Sequence, residues 1–197
     1  MFFTTSQQHQ TEQPARGFTL VESLIAITIL LIVIISPMTI AARGLQSSFF
    51  ANDQITAVYL AQESIEAVQK LRDENIIDVA NGGGGETSTW AWVDDPTIDS
   101  CWNITGCDFN PETDDFEDCA GGCVLQINPD ADTEEHRYGY EIGWDNSQYS
   151  RVVTMVDYEE DGVQLTATVS WNATLFGGER EVVLQTWLYD HDNRFEN

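Results

Sequence analysis

Gly17-Phe18-Thr19-Leu20-Val21-Glu22 heads a run that carries no further charge until Arg43. Residues 23–42 are twenty uncharged positions rich in Ile, Leu and Val, long enough to cross a bilayer as a helix. A carboxylate at the head of such a helix costs on the order of a few kcal/mol in a membrane, so Glu22 reads as a functional position. Cutting after Gly17 would leave Phe18 with a free α-amine one helical turn from the Glu22 carboxylate, and subunits would then pack carboxylate against amine. A secretory signal peptide fits poorly. Residues 1–22 hold Glu12, Arg16 and Glu22, a net negative charge, and the apolar core is too long. A plain single-pass anchor explains the hydrophobicity but gives no reason for Glu22 or for glycine at position 17.

Arg16-Gly17-Phe18-Thr19-Leu20-Val21-Glu22 resembles the cleavage site of the type IV pilins and pseudopilins, which are made as prepilins. The resemblance covers roughly residues 16–76. It implies cleavage by the prepilin peptidase between Gly17 and Phe18, N-methylation of Phe18, and a role for Glu22 in methylation or in docking into the filament. The partners it implies are the peptidase, other pilin or pseudopilin subunits, and an inner-membrane assembly platform. It places the chain first in the bacterial inner membrane as a single-pass precursor, then in an extracellular or periplasmic filament. Such helices loosen locally at a proline on assembly, and Pro37 stands inside the span with Ser36 beside it to satisfy freed carbonyls.

The fold expected is α+β, a long helix from about Thr19 to about Asn75 lying on a four-stranded antiparallel sheet. By residue, 1–17 is a leader, 18–43 the membrane half of the helix and 44–76 its amphipathic half. Residues 77–135 form an acidic, loop-rich region, and 136–197 the sheet and tail. Val58, Ala61, Ile65, Val68 and Leu71 recur at helical spacing, and Glu66 stands four residues before Lys70. Asn81 and the glycines at 82–85 end the helix. Tyr138, Tyr140, Ile142 and Trp144 alternate with polar or small residues, as do Val163, Leu165, Ala167, Val169 and Trp171. Arg151–Tyr158 and Arg180–Tyr189 supply the other two strands of a meander, joined by turns at 159–162 and 172–179.

The formal charge is −25, and from Asp73 onward twenty-eight acids face only Arg137, Arg151, Arg180 and Arg194. Such a surface repels phosphate backbones, which argues against direct nucleic-acid binding. Cys101, Cys107, Cys119 and Cys123 point to two disulfides whose pairing the sequence leaves open. Their x5 and x3 spacings, with no histidine between them, suit zinc poorly. Disulfides place the acidic region outside the cytoplasm and the N-terminus inside. No catalytic constellation emerges and no cofactor is expected, with one exception. Asp130, Asp132 and Glu134 have alternate-residue spacing for a calcium ion, though without a glycine turn. Asp157, Glu159 and Asp161 begin like a calcium loop, but Thr168 stands where a closing glutamate belongs, so a hairpin turn is the better reading. A membrane-tethered domain that captures cations or a partner through its acidic loop is the alternative function.

Overall fold

The computed structural model describes residue 17 and residues 19–82, 91–129, 138–159, 162–172 and 178–189. Phe18, the leader before Gly17, Gly83 to Gly85, and Asp130, Asp132 and Glu134 lie outside the described residues. The chain divides into two units, Met1–Ser47 and Ser48–Asn197.

One helix, α1, runs Leu20–Ala80 and contributes to both units. In the first unit its apolar side chains are all substantially exposed, from Leu20 to Leu45. It is continuous through Pro37, where the Ser36 hydroxyl donates to Ile32 O at 2.9 Å and the Thr39 hydroxyl to Ile35 O at 2.7 Å. The helix ends a turn later than the sequence suggested. No breaker occurs before Gly82, which takes φ +70 and whose N–H bonds to Val79 O at 3.1 Å.

The second unit is an α+β domain with the later part of α1 packed on an antiparallel sheet. Ala57, Leu60, Ala61, Ser64, Ala67 and Val68 are the buried helix residues, with Ile65 and Leu71 packed at the margin. The buried face is therefore turned from the expected stripe toward small residues. Alanine and serine let the helix axis approach the sheet closely, while Leu60 and Val68 each contribute about 2 kcal/mol by leaving water.

Among the described residues there are seven strands, β1 Cys107–Asn110, β2 Asp115–Asp118, β3 Val124–Ile127, β4 Tyr138–Gly139, β5 Asp145–Tyr158, β6 Gly162–Asn172 and β7 Glu179–Tyr189. The meander β5-β6-β7 forms as its alternation predicts, in continuous register from Tyr149↔Trp171 to Tyr158↔Gly162 and from Asn172↔Glu179 to Gly162↔Tyr189. Val163, Leu165, Ala167, Val169 and Trp171 all point into the core.

The expected first strand of the meander does not form. Only Tyr138–Gly139 is extended, and it pairs with β3 rather than β5. The chain then turns, with Trp144 N–H bonded to Glu141 O at 3.2 Å and Gly143 at φ +101, so Ile142 stands fully in water. The free edge of β5 is taken instead by β3 and β1, from the stretch expected to be loop. That stretch also holds three short 3₁₀ helices, at Ala91–Asp94, Pro96–Trp102 and Cys119–Gly121.

Its acids do local work. Asp95 accepts from Thr97 N–H at 2.9 Å, Asp115 from Phe116 N–H at 2.8 Å and Asp118 from Ala120 N–H at 2.8 Å. The cysteines pair as neighbours, Cys101 with Cys107 and Cys119 with Cys123. The first ties the Pro96–Trp102 helix to β1. The second encloses the turn whose Cys123 carbonyl accepts from Arg151 N–H on β5 at 3.0 Å. Lys70 turns to Glu74 at 3.8 Å and to Asp114 rather than back to Glu66. Peptide mapping of the unreduced protein by mass spectrometry should find Cys101–Cys107 and Cys119–Cys123 links. A Cys107–Cys119 link would contradict this arrangement.

Candidate functional site

Thr19 starts the helix in the way its spacing to Glu22 allows. The Glu22 N–H donates to the Thr19 hydroxyl oxygen at 3.2 Å, and the Ser23 N–H donates to Thr19 O at 3.1 Å. Thr19-Leu20-Val21-Glu22 thus has the spacing of a capping box, with the threonine at the cap and the glutamate in the first turn. A carboxylate there lies in the first turn, at the positive end of the helix dipole. Gly17 is exposed, and a Cβ built on it would meet no atom within 4 Å.

Pro37 lies inside the first unit's helix, and the four cysteines close two separate short loops of the second. No group of three or more His, Cys, Asp or Glu among the described residues is arranged to hold a metal ion. One concavity is lined by Leu71, Asn75, Trp92 and the carboxylates of Glu74, Asp78 and Asp94 among others. Among the described residues its lining offers no serine, cysteine, histidine or lysine to pair as nucleophile and base.

The structure reveals a cluster that strand alternation alone did not flag. Arg151 lies on the core side of β5 between Tyr149 and Val153, and it has no solvent exposure. Its Nε donates to Asp108 on β1 at 2.5 Å and its Nη1 to Glu63 on α1 at 2.5 Å. Nη1 also reaches Leu60 O at 3.1 Å, and Nη2 reaches Phe109 O at 2.7 Å. Asp108 is equally buried and accepts further bonds from the Tyr140 hydroxyl and, at 2.8 Å, from Phe109 N–H. One guanidinium therefore holds helix, sheet and disulfide-bearing region together. The available signal was an arginine in phase with Tyr149, Val153 and Met155 on the inward side of a strand.

Burial pushes the Asp108 carboxyl up to about 6, against the opposing pull of Arg151 and the Tyr140 hydroxyl. Burial and the neighbouring Asp108 charge likewise raise the Tyr140 hydroxyl above its ordinary range, so it remains a donor. Arg151 is held charged by Asp108 and Glu63 in spite of its burial.

Replacing Arg151 with methionine should lower stability by about 3 to 5 kcal/mol, because Asp108 is left buried without a counter-charge. Adding Asp108→Asn should recover part of the loss in urea unfolding of the full chain. Strict additivity would show that the two groups are not coupled. The pH dependence follows from the raised carboxyl. Asp108 contributes stability that is fully present below about pH 4 and is lost as pH rises through about 6. Thermal melts of Asp108→Asn should show a shallower change over that window than the unsubstituted protein.

No curated protein and no solved structure matches the chain. Residues 13–36 match the prokaryotic N-terminal methylation motif, and the match spans Gly17, the Thr19 cap and Glu22. The chain therefore carries, at the start of its helix, the signature of the type IV pilins and pseudopilins.

Proposed function

We propose that this protein is a prepilin, cut by the prepilin peptidase between Gly17 and Phe18 and methylated on the new Phe18 amine. It then assembles through its N-terminal helix as a minor subunit of a type IV pilus or pseudopilus. The observation that carries this reading is the methylation motif at residues 13–36, continuous with an apolar helix whose side chains are exposed within their own unit. Lipid covers that surface in the precursor, and other subunits cover it in a filament. The N-terminus is cytoplasmic in the precursor, because the disulfides belong on the oxidising side of the membrane.

Glu22 sits where it can answer the Phe18 amine of its own or a neighbouring chain, and Pro37 marks where the helix loosens on packing. A minor role is favoured by charge. Identical copies at −25 each would repel at every contact of a homopolymer, whereas sparse copies among less acidic subunits would not.

Coexpression with a prepilin peptidase should yield a chain beginning at Phe18 and heavier by one methyl group in intact-mass spectra. Gly17→Ala should keep the leader. Alanine meets no atom at that position, so its failure to be cut would report the fit to the peptidase rather than misfolding. Glu22→Ala should abolish recovery of the subunit in sheared filaments. An uncut N-terminus in the unsubstituted chain would instead favour a membrane-tethered binding domain.

A further inference from the structure

The sheet face opposite α1 differs in chemistry from the rest of this acidic chain. Across β5, β6 and β7 it presents valine, threonine, glutamine and aromatic side chains, with Glu179 and Glu181 as charges at one end. At the other end three rings gather. Tyr158 lies 6.1 Å from Trp187 and 6.3 Å from Tyr189 between ring centres, and Trp187 and Tyr189 are 44% and 42% exposed. Val156, 51% exposed, adjoins them.

The glycine between the two tyrosines is required. Gly162 pairs with Tyr158 on one side and Tyr189 on the other, and a Cβ there would come within 3.1 Å of the Tyr189 ring. The ring therefore lies against the bare backbone of β6, and any side chain would lift it. The next rows of the sheet place Gln164 beside Trp187, then Thr166 beside Gln185, whose amide donates to the Thr166 hydroxyl at 3.3 Å.

We propose that this face binds a neutral polysaccharide, with Trp187, Tyr189 and Tyr158 as the sugar-stacking platform and Gln185, Thr166 and Gln164 as hydrogen-bonding partners. The C–H faces of a pyranose ring carry slight positive charge and pack on the negative face of an aromatic ring. Hydroxyls at the sugar's edge pair with amide and hydroxyl groups beside the rings. Charge selects among occupants. Glu159 borders the aromatic end and Glu181 and Glu179 the other, on a chain of −25, so an acidic glycan or a second copy meets repulsion. A basic partner has stronger sites on the densely acidic surfaces than on this sparsely charged one. A flat, hydroxyl-rich, uncharged polymer is the occupant that the face fits. The proposal does not depend on whether Gly17–Phe18 is cut.

The test is affinity electrophoresis of the full chain in a zwitterionic detergent without a sugar headgroup. The gels would contain hydroxyethyl cellulose, galactomannan or dextran, with alginate as the anionic comparison. At least one neutral polymer should retard the protein and alginate should not. Trp187→Ala should weaken the retardation at least tenfold, and Trp187→Phe should restore most of it. Tyr59→Ala, which removes an exposed ring from the helix layer, should change nothing. Absence of retardation by all three polymers would overturn the proposal, as would equal loss in Tyr59→Ala. A concentration-dependent dimer in sedimentation that Trp187→Ala abolishes would assign the face to a second copy instead.

Discussion

A guanidinium sealed from water must be surrounded by oxygen, and Arg151 collects it from two separate stretches of chain. Asp108 and the Phe109 carbonyl come from the disulfide-bearing region, and Glu63 and the Leu60 carbonyl from the helix. A pair of this kind adds little net stability compared with a well-packed apolar core, but removing one member is expensive. Its effect is therefore to make one arrangement of the three pieces far better than any other. The Leu60 carbonyl is reached because the buried helix face around it is alanine and serine, which brings the helix backbone close to β5. Small residues on α1 and the inward arginine on β5 are two parts of one solution.

The acidic region between α1 and β5 would be expected to resist folding, since it holds a dense run of carboxylates without a lysine or arginine. Three features order it. Two disulfides close loops of four and six residues in sequence separation. Several carboxylates spend their acceptor capacity on nearby backbone N–H groups, at Asp95, Asp115 and Asp118. The edge of β5 then offers unpaired backbone groups that β1 and β3 satisfy. Other carboxylates of the region, among them Asp94, Asp99, Glu112 and Asp114, stay exposed to water.

Much of this protein is legible residue by residue. The cleavage motif, the apolar run behind it and the alternation of β6 are written in contiguous stretches, because capping, bilayer length and strand pleating each depend on neighbours a few positions away. The misreadings occur where that locality fails. Tyr138 to Trp144 alternates as a strand should, but Gly143, at φ +101, lets the chain turn, and β5 has better partners elsewhere. The helix stripe shared Ala61 and Val68 with the buried face, but the sheet also took Ala57, Leu60, Ser64 and Ala67 and left Ile65 and Leu71 at the margin.

What the sequence by itself determined was the N-terminal methylation motif, the membrane-length helix, the α+β class and the hairpin strands of the sheet. Tertiary structure alone decided which cysteines pair, which strands flank β5, and that Arg151 lies inside. The partners of that arginine stand between 42 and 91 residues away, and no periodicity in a window reveals them. An isolated arginine in a strand is ordinarily a surface residue. Only when helix, sheet and acidic loops close on one another does the balance of desolvation against four nearby oxygens bring it into the core.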